Sequence, residues 1–169
     1  DWEKRHQNQK AVYRGVDPKL VSRVKSIAKE FNIREGEVAR FFLEYGLRSY
    51  GSGELDLTPY PNPERLRMTL FPSINWSASQ KTKSSSMRKI RKKKTNLPFW
   101  KVITTWRNFS SEVKSEISDL ASEAGLGVPV GELVTALLHF GFSAYDRGLL
   151  KLEPVAEMNN HKLLERGAF

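Results

Sequence analysis

The chain has 169 residues, 39% of them hydrophobic, which is enough apolar side chain for a real core and fits one or two small domains. It has no cysteine, excluding disulfides and thiolate metal sites, and no apolar run near the roughly 20 residues of a membrane-spanning helix. The net charge of +9 is concentrated: residues 72–94 carry 8 basic side chains and no acidic one, whereas 1–71 carry 13 and 10, and 95–169 carry 7 and 9.

Asp1 to Gln9 reads as a polar arm. Lys10 to Val16 alternates with β-branched and aromatic residues and predicts a short strand, weakened by Gly15. Asp17-Pro18 opens a helix, because the carboxylate can accept from first-turn N–H groups and proline suits the first helical position. That helix is expected to reach about Phe31. A turn at Asn32 to Gly36 leads into a second helix, from about Glu35 to Tyr50, which ends at Gly51-Ser52-Gly53. Gly46 inside it costs on the order of 1 kcal/mol relative to alanine, which points to close helix packing. Glu54 to Leu57 and Arg65 to Phe71 alternate and predict a hairpin or edge pair around the proline-rich Pro59 to Pro63. Ser73 to Asn96 reads as a linker with a charge block from Lys81 to Lys94.

Trp100 to Phe109 is a better strand than the first. Ser110 then stands as a cap, followed by Ser111 and Glu112 in the first turn. Helices are expected over about Ser111–Ala124 and Val130–Asp146, joined by Gly125-Leu126-Gly127-Val128-Pro129. The tail from Val155 to Phe169 is expected to add a helical turn around Leu163 and Leu164.

The two halves are copies of each other. Leu20, Val24, Ile27, Ala28 and Phe31 recur as Val113, Ile117, Leu120, Ala121 and Ala124, 93 residues on, one helical face written twice. Gly36-Glu37-Val38 is answered by Gly131-Glu132-Leu133, now 95 residues on, and Phe42, Tyr45 and Gly46 by Leu137, Phe140 and Gly141. Both copies close on a Gly, Leu, Leu, Pro series, at Gly53, Leu55, Leu57 and Pro59 and at Gly148, Leu150, Leu152 and Pro154. A register kept that long marks an internal repeat. The chain divides into a first copy at 10–59, a connecting segment at 60–98, a second copy at 99–154 and a tail at 155–169.

A strand, a capped helix, a brief turn and a second helix within some 45 residues resembles the ribbon-helix-helix family of DNA-binding proteins, such as the Arc and methionine repressors. Arg14 to Val21 with Glu37 to Leu47, and Arg107 to Val113 with Gly131 to Phe142, carry the likeness, over a little more than half the chain. The resemblance implies a mainly α fold with short β, in which the strands pair as an antiparallel ribbon that enters the major groove. Since one strand has no partner of its own, two copies in one chain imply an intramolecular pseudo-dimer, or a homodimer if copies exchange between chains. The two strands differ, so the two half-sites read by the ribbon are expected to differ.

Val16 and Phe109, beside the helix starts, are expected in the core. Alternation then puts Ala11, Tyr13 and Gly15 with Thr104, Trp106 and Asn108 on the groove face, and leaves Arg14 and Arg107 on the core side unless a bulge turns them outward. Matched arginines fit base-edge or phosphate contact, so Arg14 and Arg107 join the candidate DNA-binding residues. Arg34, Gly36 and Gly131, at the starts of the second helices, are the expected phosphate anchors. The basic joint, with Lys81, Lys83, Arg88, Lys89, Arg91, Lys92, Lys93 and Lys94, is weighed as a phosphate-tracking arm, an import-like patch or a solvated spacer, the arm being favoured.

His6, His139 and His161 are scattered and offer no metal set, and no cofactor is expected. With neither a nucleophile–base arrangement nor paired carboxylates in view, an enzyme is not expected. The leading expectation is a sequence-specific double-stranded DNA-binding protein, cytoplasmic and nucleoid-associated, serving as a transcriptional regulator or a plasmid or mobile-element accessory factor. The alternative is a protein-interaction module or antitoxin-like adaptor that keeps the fold and takes its partner through residues 60–71 or the C-terminal tail.

Overall fold

A computed structural model of the chain describes residues 9–61, 68–71, 101–157 and 160–166. Among these the protein is mainly helical, with four helices and three short antiparallel strand pairs. In chain order they are β1 (Ala11–Arg14), α1 (Pro18–Phe31), α2 (Glu35–Ser52), β2 (Tyr60–Pro61), β3 (Met68–Thr69), β4 (Ile103–Trp106), α3 (Ser111–Ala121), α4 (Val130–Asp146), β5 (Leu152–Glu157) and β6 (Asn160–Glu165).

Local signals account for the helix starts. The Asp17 carboxylate accepts from the Lys19 amide at 2.8 Å, with Pro18 opening α1, and the Ser110 hydroxyl accepts from the Val113 amide at 3.4 Å at the start of α3. Caps of this kind contribute about 1 kcal/mol each. Asn32 ends α1 and Gly53 ends α2, both in the left-handed region, at φ 53° and 83°. α3 stops at Ala121, three residues before the expected Ala124. Ser122 is extended there, and Gly125 folds so tightly onto the turn that a side chain on it would overlap the Leu120 carbonyl.

Tertiary packing joins the copies in matched pairs. β1 and β4 run antiparallel, Ala11 opposite Trp106, Val12 opposite Thr105, Tyr13 opposite Thr104 and Arg14 opposite Ile103. Beneath them α2 lies against α4. A methyl on Gly46 would sit 3.0 Å from Leu137, and one on Gly141 would sit 2.9 Å from Phe42. Those contacts are the same contact made twice, because Phe42 and Leu137 occupy equivalent repeat positions. Tyr45 stacks on its own equivalent, Phe140, at 5.9 Å, and Phe42 meets Phe142 at 4.4 Å. The core, including Val16, Val24, Phe42, Leu43, Phe109, Ile117, Leu133, Leu137 and Phe142, is continuous across both copies.

Two segments differ from expectation. Glu54 to Leu57 is not a strand; the first hairpin pairs Tyr60 with Thr69 and Pro61 with Met68. The tail is likewise a hairpin and not a helical turn, with Pro154 opposite Leu163 and Val155 opposite Lys162. Both hairpins are tied to the first turn of the other copy's second helix. The Leu163 amide donates to Glu37 at 2.9 Å while its carbonyl accepts from Arg40 at 3.1 Å, and the Leu70 amide donates to Glu132 at 3.0 Å. Glu37 and Glu132 are equivalent in the repeat, so the repeated unit includes a hairpin after its two helices.

Candidate nucleic-acid interface

The ribbon's two faces differ sharply. Ala11, Tyr13, Thr104 and Trp106 point into the core, none more than 7% exposed. Val12 and Ile103, at 52% and 56%, stand in solvent together with Arg14, Thr105 and Arg107. The expected groove face is therefore the inner one, and the arginines expected inside are outside.

The cause lies between strand and helix. Gly15 and Asn108, equivalent in the repeat, adopt positive φ, 82° and 54°. A left-handed residue breaks the alternation that an extended strand imposes. Val16 and Phe109 are buried as expected, at 0% and 1%, but counting back from them through Gly15 and Asn108 as if they were extended inverts every assignment. Glycine reaches this region freely, and asparagine more readily than most residues. Their matched placement just before each helix cap was the signal available in the sequence. Asn108 itself is exposed.

Under the ribbon, Tyr13 and Trp106 meet edge to face at 5.8 Å, and Trp106 stacks on Phe109 at 6.1 Å. The Tyr13 hydroxyl and the Trp106 indole N–H have no hydrogen-bond partner among the described residues. Burial pushes the Tyr13 hydroxyl up to about 12. These two aromatics hold the ribbon on the core and are turned away from its exposed face.

The three expected phosphate anchors fall into two kinds. Arg34 is exposed at the N-cap of α2. Gly36 and Gly131 are buried, and each makes room for a ribbon carbonyl: a side chain on Gly36 would overlap the Arg107 carbonyl, and one on Gly131 the Arg14 carbonyl. Neither α2 nor α4 has a side-chain cap at its start. Glu37 and Glu132 in those first turns are engaged with the hairpins, and Glu35 is exposed. Lys81, Lys83, Arg88, Lys89, Arg91, Lys92, Lys93 and Lys94 lie outside the described residues.

Among the described residues no group of three or more His, Asp or Glu side chains is placed to hold a metal ion, and no helix is long and apolar enough to cross a membrane. What the outer ribbon offers is a narrow strip of two arginines, two aliphatic side chains and a hydroxyl. Comparison with protein-family models, curated proteins and solved structures returns no match.

Proposed function

We propose that the chain is a tandem ribbon-helix-helix protein whose two copies pair within one polypeptide, and that it binds double-stranded DNA with the outer face of the β1–β4 ribbon in the major groove. It would serve as a transcriptional regulator or mobile-element accessory factor. The observation that carries this reading is the outward placement of Arg14 and Arg107 on a ribbon whose other face is buried. A major groove about 12 Å wide admits a two-stranded ribbon, and an arginine can bond guanine O6 and N7 together. Val12 and Ile103 supply apolar surface of the kind that meets thymine methyl groups. Arg34, exposed at the start of α2, and the basic joint supply phosphate contacts that position the ribbon without reading sequence.

The test is Arg14→Ala with Arg107→Ala. Both residues are exposed, so the variant is expected to melt with the wild type while losing at least roughly tenfold in affinity for a selected duplex. Unchanged affinity in the folded double variant sinks the reading.

A second reading has one observation in its favour. Tyr60, 44% exposed, stands at a groove of about 450 Å³ where Leu55, Leu70, Phe71, Ala136 and Phe140 are mixed with Asp56, Thr58, His139 and Ser143, a part-apolar surface of the kind that an adaptor would offer a protein partner through residues 60–71. If the wild type retains no DNA, that reading takes over.

A further inference from the structure

The ribbon's outer face is not two-fold symmetric although its two strands occupy equivalent positions in the repeat. Val12 is paired with Thr105, its own equivalent in the repeat, so the local two-fold relation of the strands passes through that pair. The same relation takes Arg14 to Arg107 and Lys10 to Ile103. Arginine is kept at both ends, whereas its neighbours are not. At one end Arg14 is directly opposite Ile103. At the other, Lys10 precedes Ala11 and Arg107 follows its partner Trp106, so the antiparallel register carried one step past that pair brings Lys10 and Arg107 to the same end. All six side chains are exposed. One end therefore presents a cation beside an aliphatic group, and the other presents two cations.

Base edges distinguish these ends. Arginine and lysine pair with guanine O6 and N7, whereas an aliphatic side chain favours the thymine methyl. Position 14 and position 10, the one beside Arg107, are four residues apart, roughly 13 Å along a strand, or about four base-pair steps.

On the DNA-reading function proposed above, we infer that the preferred site is a non-palindromic duplex. One half is guanine-rich and read by Arg107 with Lys10. The other sets a guanine, read by Arg14, beside a thymine whose methyl meets Ile103. Val12 and Thr105 make the centre unequal as well. A homodimer, with one strand sequence used twice, has no such choice of halves.

Two symmetrising variants test this, both confined to exposed positions in the strands or next to them. Ile103→Lys with Thr105→Val gives both copies the lysine, valine, arginine series of positions 10, 12 and 14. Lys10→Ile with Val12→Thr gives both copies the isoleucine, threonine, arginine series of positions 103, 105 and 107. Duplexes are selected from a random pool for the wild type and for both variants at near-physiological salt. The wild type is expected to enrich a site with unequal halves. The first variant should enrich a palindrome built from its guanine-rich half and the second a palindrome built from its thymine-containing half, each bound roughly tenfold better than the other's. A palindromic wild-type site, or variants that keep the wild-type site unchanged, overturns the inference while leaving DNA reading intact. Absence of enrichment for the wild type overturns both.

Discussion

The carbonyl oxygen of Arg14 occupies the space that a side chain on Gly131 would take, and the carbonyl of Arg107 does the same at Gly36. One copy's ribbon strand thus rests on the start of the other copy's second helix, in both directions. Gly131→Ala and Gly36→Ala must each push backbone against backbone, which no rotamer change relieves. Each is expected to destabilise the fold by about 2–3 kcal/mol, read as a lower denaturant midpoint at unchanged slope. Gly46→Ala meets Leu137 at 3.0 Å for the side chain and 3.2 Å for the Cα, a tight contact but not an overlap, so its cost is expected to be smaller.

Tyr13 gives a stability effect with a defined pH window. Its hydroxyl is buried without a partner among the described residues, so Tyr13→Phe removes an uncompensated polar group and is expected to be neutral or stabilising by about 1 kcal/mol near pH 7. The hydroxyl is raised from 10.0 to about 12, so between these values the folded chain keeps a proton that the unfolded chain has released. Unfolding then releases protons, and stability falls as pH rises. Stability present in full below pH 10 is lost as pH climbs through about 12. The difference between wild type and Tyr13→Phe isolates this residue from the other four tyrosines. A difference that stays flat above pH 10 contradicts the burial of the hydroxyl.

The hairpin clamps are separable by hydrogen exchange. Glu132 accepts from the Leu70 amide and also from the Thr69 hydroxyl, at 3.0 and 3.1 Å, whereas Glu37 holds the Leu163 amide and the Arg40 guanidinium. Glu132→Ala is expected to speed exchange at Leu70 by roughly tenfold or more and leave Leu163 unchanged, and Glu37→Ala to do the reverse. Equal effects at both amides would mean that the hairpins are not independently tied down.

How much of this was legible in the sequence differed by element. The helices and the two ribbon strands were written in the repeat, in Asp17-Pro18 and Ser110, and in Gly46 with Gly141, because local capping and apolar periodicity decide them. The ribbon's facing was not legible by alternation alone, since one left-handed residue at Gly15 and one at Asn108 reversed it. The hairpins were legible only in part: the expected strand from Arg65 to Phe71 contains β3, but its partner is Tyr60–Pro61 and not Glu54 to Leu57, and the tail forms a hairpin where its pattern predicts a helical turn. β2–β3 has only two residues in each strand, and adjacent Leu163 and Leu164 suggested a helix. What makes strands of these segments is partly a carboxylate 62 residues away for Leu70 and 126 away for Leu163, which no local pattern carries.

Whether the outer ribbon enters the major groove is decided most directly by methylation interference on the duplex that the wild type selects. Methyl groups at guanine N7 project into the major groove, and those at adenine N3 into the minor groove. Interference is expected at guanine N7 about four base pairs apart, at the two ends of the ribbon, and in the Arg14→Ala, Arg107→Ala variant is expected to disappear at the Arg14 end and to weaken at the end where Lys10 remains. Interference confined to adenine N3, or binding indifferent to methylation in either groove, contradicts the placement of Arg14 and Arg107 against base edges.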